Sequence, residues 1–132
     1  MSRILVDSSI WIEFFRRPDS PSSLVLDQLL AHRLVCTTGL IKAEVVPGAR
    51  SPKDFHRLRS LFDALPLARE RDGFWSHLVR FRRRLETKGV MGISTPDLIV
   101  ATVSIQNRKI VFTADEDFTR MIPHVPIQLF MP

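Results

Sequence analysis

The chain has 132 residues, with 19 lysines and arginines against 14 acidic residues, which gives a formal net charge of +5. This length fits one domain over residues 1–132, and the single cysteine excludes an internal disulfide. The first residues lack the apolar stretch of a signal peptide, and no window approaches the ~20 apolar residues of a membrane span, so we expect a cytoplasmic protein with no membrane partner. A basic surface attracts nucleic acid through the phosphate field, or it serves only solubility.

Short apolar runs alternate with helical patterns along the chain. In the first half we predict a strand over 3–6, a serine-capped helix over 8–16, a helix from Ser22 or Ser23 to about 32, a strand over 34–37, a helix over 39–49 and a helix opening at 51–54. In the second half we predict a short strand over 65–68, a basic helix over 72–88, a helix over 95–106, a strand over 109–113, a short helix over 115–121 and a strand over 126–130. This alternation predicts an α/β fold, with a parallel sheet covered by helices on both faces.

Four acidic residues stand where strands are expected to pass into loops or helix starts: Asp7, Glu44, Asp97 and Asp115. Ligands of open parallel sheets bind at the carboxyl ends of the strands, so acids placed there converge in space. Converging carboxylates repel one another unless a cation joins them, and hard oxygen ligands select Mg²⁺ or Mn²⁺. The four histidines show no shared metal spacing.

Each acid also has a purely structural interpretation. Asp7 is followed by serines and Asp97 follows Thr95-Pro96, so both fit the first turn of a helix, where the dipole favours an acid. Glu44 lies within an apolar helix, where a carboxylate needs solvent or a partner. Asp115 shares its stretch with two more acids, of which some are simply solvated. The joint recurrence of acids at expected strand exits is what favours one common site.

Four segments resemble the successive motifs of PIN-domain ribonucleases, specifically the VapC-type toxins of bacterial toxin–antitoxin pairs. These segments are residues 5–12 (LVDSSIWI), 43–49 (AEVVPGA), 95–102 (TPDLIVAT) and 112–118 (FTADEDF). Their order and spacing agree with the family over nearly the whole chain. Pro47 before the motif glycine and Ala114 at a position that is often basic or polar depart from the pattern, but neither removes a carboxylate.

The resemblance implies a three-layer α/β/α PIN-like domain with a central, mainly parallel sheet. It implies an endoribonuclease dependent on Mg²⁺ or Mn²⁺, in which Asp7, Glu44, Asp97 and Asp115 hold the metal and cleave RNA through a metal-activated water. Asp117 matches a position where the family often keeps a further acid, and it supports the set. The sequence leaves open whether one or two metal ions bind.

Substrate contact is expected on the predicted basic helix, where Arg80, Arg82, Arg83 and Arg84 are candidates for binding the RNA backbone. A solvated face, or one that pairs with acids on a partner, explains these arginines equally well. Two aromatic residues at the start of this helix, Phe74 and Trp75, are predicted to be core residues rather than base-stacking platforms.

The first helix is apolar on nearly all sides, which predicts that part of it is covered by a second chain. The resemblance implies a VapB-type antitoxin and a homodimer as partners, with Trp11 or Phe15 in contact, although packing under neighbouring helices is the alternative. The rival function is a catalytically silent PIN-fold module that binds RNA or protein. A phosphotransfer domain of the haloacid-dehalogenase kind is disfavoured, because Ser9 stands where its second acid is needed.

Overall fold

The structure is a computed structural model that describes residues 3–132. Its strands are β1 (Ile4–Val6), β2 (Val35–Cys36), β3 (Ile110–Phe112) and β4 (Gln128–Leu129). Its α-helices are α1 (Ser8–Arg16), α2 (Pro21–Ala31), α3 (Gly39–Val45), α4 (Pro52–Asp63), α5 (Phe74–Thr87), α6 (Thr95–Gln106) and α7 (Glu116–Met121), and a 3₁₀ turn covers Val46–Gly48. Strands and helices alternate as the sequence predicts, and they form a three-layer α/β/α fold.

The four strands pair in the order β2-β1-β3-β4, and every pairing is parallel. In register, Ile4 lies opposite Val35 on one side and opposite Ile110 on the other. The chain moves from β1 to β2 on one side and from β3 to β4 on the other, so the topological switch point lies between β1 and β3. Ligands of open α/β sheets bind beyond the carboxyl ends of the strands at such a point.

The core is built from the fully apolar strands and the inner faces of the helices. Val6, Val111 and Phe112 in the two central strands are buried, as expected for a parallel sheet covered on both faces. Along the chain, α1 packs against α2 and α3, while α5 packs against α6. The largest fully buried side chains of the described residues are Trp11, Phe62 and Phe118.

Several predicted boundaries differ from the structure. The predicted helix over 39–49 ends at Val45 and continues as the 3₁₀ turn, because Pro47 has no N–H to donate within an α-helix. The predicted strand over 65–68 is only a single parallel bridge between Leu67 and Thr37. The four strands are also shorter than predicted, and β1 begins at Ile4 rather than Arg3.

Helix starts follow local polar side chains, but not always those predicted. Ser20 caps α2 and Ser94 caps α6, each accepting a hydrogen bond from the backbone N–H three residues on, so the prediction of Ser22 or Ser23 is wrong. The predicted serine cap of α1 is also wrong. Its N-cap residue is Asp7, whose side chain makes no capping hydrogen bond to α1. The carboxylate is therefore available for other contacts at the carboxyl edge of the sheet.

The packing bears on two predictions about tryptophans. Trp11 is fully buried, with its ring centroid 4.7 Å from that of Phe62, so of the two residues predicted to meet a second chain Phe15, 42% exposed, is the one that presents a surface, and the contact itself stays a prediction. Trp75 is 62% exposed, so it is not a core residue, whereas Phe74 is buried as predicted. Among residues 3–132 there is no helix with the length and apolar character that a membrane crossing requires.

Candidate active site

Asp7 lies directly beyond the carboxyl end of β1 and is buried. Its backbone N–H donates to the Phe112 carbonyl at 2.9 Å, which fixes its position beside the end of β3. Its carboxylate oxygen Oδ2 accepts hydrogen bonds from Ser9 Oγ at 3.0 Å and from Thr113 Oγ1 at 2.8 Å. The two hydroxyls compensate the burial of this carboxylate and fix its orientation, and they leave its other oxygen, Oδ1, without a bond from either of them.

The two hydroxyls that hold Asp7 also organise the loop after β3. Ser9 Oγ accepts from the Ala114 N–H at 3.1 Å, and Thr113 Oγ1 accepts from the Asp115 N–H at 3.0 Å. Asp115 in turn caps α7 by accepting from the Asp117 N–H at 2.9 Å. One hydrogen-bonded chain therefore connects the end of β1 to the start of α7 across the switch point.

Three carboxylates form the tightest acidic group of the described residues: Asp97, Asp115 and Asp117 each offer an oxygen, and these oxygens lie within 4.8 Å of one another. All three are partly buried. Asp97 comes from the first turn of α6, whereas the other two come from the cap and first turn of α7. The fold thus brings together acids that are distant in sequence.

Crowding of negative charge shows in the protonation of Asp97. Partial burial, the charge of Asp115 together with a hydrogen bond to it, and the charge of Asp7 raise the pKa of Asp97 from 3.8 to about 7, against a smaller opposing effect of Ser94. Like charges at close range disfavour full ionisation. Strong perturbation of this kind is typical of functional sites.

Glu44, near the end of α3, borders the same site. Partial burial, followed by the negative charge of Asp7, raises the pKa of its carboxyl above the ordinary value. Glu44 is not a member of the tight group formed by Asp97, Asp115 and Asp117. The structure therefore places Asp7 and Glu44 electrostatically close to each other, and it places Asp7 close to Asp97 as well.

Arg120 provides the positive charge beside the acids. Its Nη1 donates to Asp117 Oδ1 at 3.0 Å, and its Nη2 donates to the Met91 carbonyl at 2.7 Å. The first contact orients Asp117, and the second connects α7 to the loop that precedes α6. Arg120 was missed at the sequence level, although its i,i+3 spacing from Asp117 on a helix indicates an ion pair.

Ser94 is a further site residue that the sequence predictions do not name: it is the N-cap of α6, one residue before the predicted start of the helix. The segment Ser94-Thr95-Pro96-Asp97 matches the capping-box spacing of a serine followed three residues later by an acid, a signal that identifies the cap. Asp117, expected only as support, lies in the tight acidic group. The donor set of carboxylate oxygens with hydroxyl support fits a hard divalent cation such as Mg²⁺ or Mn²⁺.

The basic helix α5 divides into anchored and free arginines. Arg82 donates through Nη1 to the Ile93 carbonyl and through Nη2 to Thr95 Oγ1 at 3.4 Å, so it holds the segment that leads into Asp97. Arg84 donates to the His124 carbonyl at 3.4 Å. The guanidinium groups of Arg80 and Arg83 are exposed and make no hydrogen bond or ion pair within residues 3–132, although the Arg83 carbonyl accepts from Thr87 Oγ1 at 2.7 Å.

Fold and site together define an α/β protein with an acidic, cation-compatible centre at the switch point of a parallel sheet. The family model of the PIN domain matches residues 4–122. The chain therefore belongs to the PIN domain family. No significant match to a curated protein is found.

Solved structures with similar folds include three complexes. DNA-bound VapBC from Salmonella typhimurium has a TM-score of 0.76 at 15% identity, covering 98% of this chain and 98% of that one. VapBC2 from Rickettsia felis, bound to a DNA fragment from its promoter, has a TM-score of 0.72 at 18% identity, covering 96% of both chains. A toxin–antitoxin complex from Klebsiella pneumoniae has a TM-score of 0.69 at 17% identity, covering 96% of this chain and 99% of that one. At these identities the similarity shows the fold.

Proposed function

We propose that this protein is an endoribonuclease dependent on Mg²⁺ or Mn²⁺ and that it acts as the toxin of a toxin–antitoxin pair. The observation that carries the proposal is the group of Asp97, Asp115 and Asp117 beside the buried Asp7. Partial burial first, and then the neighbouring Asp115 and Asp7, raise the pKa of Asp97, so its charged form is disfavoured in the absence of a cation. Membership of the PIN domain family and the fold shared with toxin–antitoxin complexes support the same function.

The residues divide the work by position. Asp97, Asp115 and Asp117 would hold the cation, with Asp7 and Glu44 completing its surroundings directly or through water. When bound, the cation supplies charge stabilisation for a phosphate and acidifies a bound water. Ser9 and Thr113 keep the Asp7 carboxylate oriented through the two hydrogen bonds described above. A site that is preorganised in this way loses little energy to rearrangement when the substrate arrives.

Nucleic acid is the substrate class that the charge distribution favours, and within it RNA is the proposed substrate. The acidic centre lies in a chain of net charge +5, and Arg82 approaches it from the basic helix α5. A cation in the acidic centre and arginines around it together attract a polyanion. The exposed Arg80 and Arg83 remain free to contact phosphates, while Arg82 and Arg84 also brace the protein backbone.

The test is cleavage of total RNA by the purified protein, freed of any antitoxin, with Mg²⁺ or Mn²⁺ and with EDTA. Asp97→Asn keeps the side-chain shape and removes a ligand charge, so it should abolish cleavage and growth toxicity. Asp27→Asn, an exposed residue on α2, is the matched control and should retain both. Metal-independent cleavage, or full activity of Asp97→Asn, would sink the proposal; no cleavage under any condition would favour a silent binding module.

An antitoxin of the VapB type is the proposed partner, and its proposed docking site is the apolar surface left on α1 and α2. Ile12 and Phe15 lie one turn apart on α1, each 42% exposed, and Leu24 on α2 is 54% exposed. Since α1 and α2 pack together, we infer that these exposed apolar side chains belong to one surface that a second chain covers. A homodimer is proposed alongside the antitoxin complex.

A further inference from the structure

Two apolar side chains on α5 are mostly exposed, although the Trp75 ring also meets the buried ring of Phe74 edge to face, with centroids 4.9 Å apart. Trp75 is 62% exposed and Val79 is 63% exposed, more than any other large apolar side chain in the helices of the described residues. The core-facing side of α5 is already complete, with Phe74, Leu78, Phe81 and Leu85 buried. An exposed tryptophan one turn from an exposed valine on an otherwise charged helix indicates a binding surface.

These side chains share a helix face with two arginines. Trp75, Val79, Arg82 and Arg83 follow the spacing i, i+4, i+7 and i+8, and we call them the Trp75 face. At its far end, Arg82 bonds to Ile93 and Thr95, immediately before Asp97. Trp75 lies about 10 Å along the helix axis from Arg82, at 1.5 Å per residue. The Trp75 face therefore leads from the acidic centre along the surface of α5.

Charge decides which partner this face suits. The helix α5 contains four arginines and a single acid, Glu86. A second copy of the chain, packed symmetrically on this face, would set arginine against arginine, which is unfavourable. A suitable partner must carry negative charge for the arginines and flat apolar groups for Trp75 and Val79. Single-stranded nucleic acid has both, because it combines phosphates with bases that stack on aromatic rings.

We propose that Trp75 is a base-stacking residue of this nuclease, which binds an unpaired RNA base a few nucleotides from the phosphate at the acidic centre. The inference rests on the proposed function and adds to it a preference for single-stranded RNA. Val79 extends the apolar platform, and Arg82 and Arg83 neutralise the phosphates between the two points. Trp75 takes no part in the chemistry, so its loss should affect substrate binding and leave the catalytic step intact.

Fluorescence can report the contact directly, because the chain has two tryptophans and Trp11 is fully buried. Quenching by acrylamide therefore reports Trp75. In EDTA, where no cleavage occurs, single-stranded RNA should protect the emission from acrylamide, and a duplex of equal length should protect it much less. Trp75→Phe should lose the quenchable emission while the buried emission of Trp11 remains, which shows that the variant is folded.

Kinetics provides the second measurement. Trp75→Ala should raise KM for single-stranded RNA about ten-fold with kcat within two-fold of wild type, and Trp75→Phe should restore most of the affinity, because stacking needs only an aromatic ring. Leu67→Ala, which removes a 44% exposed apolar side chain that lies outside α5 and outside the proposed docking surface, should leave KM unchanged and is the matched control.

The outcomes separate this inference from the function on which it rests. A wild-type enzyme that cleaves RNA, together with a Trp75→Ala variant of unchanged KM, overturns the stacking role alone. Absence of metal-dependent cleavage in the wild type overturns the proposed function, and unprotected Trp75 emission then separately overturns the RNA contact. Protection of Trp75 without RNA, in a species of twice the mass by sedimentation, assigns the face to a second copy and also overturns the inference.

Discussion

Asp97 is the single residue whose environment says most about the site. Its carboxyl lies in the first turn of α6, a position that any helix start could explain, yet its pKa of about 7 comes from partial burial and from neighbouring acids. A helix-start acid in solvent has no such neighbours. The sequence could place Asp97 at a helix start, but only the fold shows that Asp115 faces it.

The first prediction follows from that pKa. The pKa of Asp97 is about 7 in the folded protein, against an ordinary value of 3.8. Between pH 3.8 and about 7, the metal-free folded state therefore binds more protons at this carboxyl than the unfolded state does. The corresponding stabilisation is complete below about pH 4 and is lost as pH rises through about 7. Thermal unfolding in EDTA should show Asp97→Asn more stable than wild type at pH 8 by about 1 kcal/mol, roughly 3 °C, after allowance for solvent screening.

The control for this measurement is Asp27→Asn, which should follow the wild-type curve at every pH. The advantage of Asp97→Asn should shrink as the pH falls from 8 to 4, because the wild-type carboxyl then takes up its proton. A stability difference independent of pH would show that the substitution acts through packing instead of charge.

The second prediction concerns the cation itself. Ligand carboxylates must be ionised, so the affinity for Mn²⁺ or Mg²⁺ should increase as pH rises through about 7. At about 100 times its dissociation constant the cation should stabilise the wild type by about 2.7 kcal/mol. Thermal unfolding with and without cation measures this, and Asp117→Asn should reduce the gain. An equal gain in Asp97→Asn would mean that the cation binds elsewhere.

At the scale of elements, α1 shows where sequence patterns stop being informative. Its bounds were predicted correctly because a strand, a polar start and an apolar run are local signals. Five of its nine residues are large and apolar, so periodicity could not tell which face is inside. Packing decides: Trp11 lies against Phe62 of α4, and Phe15 stacks over Trp11 with ring centroids 6.1 Å apart.

The same ambiguity affected α5. The spacing of Phe74, Leu78, Phe81 and Leu85 indicates the buried face, but Trp75 next to it is apolar too and was predicted to lie in the core. Its position on the helix, 100° from Phe74, turns it towards solvent. Tryptophan is highly buried on average, so its residue type favours the core, whereas its position on the helix favours solvent; the structure follows the helical position.

The third prediction tests the partner surface on α1. Phe15→Asp places a charge in the proposed interface and should weaken antitoxin binding by about 2 kcal/mol or more, a roughly 30-fold rise in Kd. Titration calorimetry with the cognate antitoxin measures this. Leu67→Asp is the matched control, since Leu67 is 44% exposed and Phe15 is 42% exposed. Equal affinities of wild type and Phe15→Asp would refute the docking site.

Trp11 is tested by a different substitution, because it is buried beneath Phe15 and contributes to the core and not to the exposed surface. Trp11→Asp would bury an unpaired charge and unfold the protein, so its effect on binding would be uninterpretable. Trp11→Ala should destabilise the fold by about 3–5 kcal/mol through the cavity it leaves. Chemical denaturation measures that loss.

At the scale of the whole molecule, the order of strands creates the site. The alternation of elements predicts a parallel sheet, and strand ends predict where Asp7 and Asp115 emerge, whereas Glu44 and Asp97, also expected at strand ends, come from the helices α3 and α6. The order β2-β1-β3-β4 depends on long-range pairing that no local pattern encodes. That order sets Asp7 beside Thr113 and Asp115, which is why the sequence named the acids but could not show that Asp117 joins the tight group and that Glu44 remains at its border.

Charge acts over the whole molecule as well, and the last prediction uses it. Binding of single-stranded RNA in EDTA should weaken steeply with salt, with a slope of about −0.7 in log–log form per phosphate neutralised. Arg83→Gln removes an exposed guanidinium without disturbing a described contact, so it should reduce the slope by about 0.7. Fluorescence anisotropy at several salt concentrations measures both slopes. Arg57→Gln, an exposed arginine on α4, is the control, and an equal effect there would show that RNA follows the general field of the protein and has no preferred path along α5.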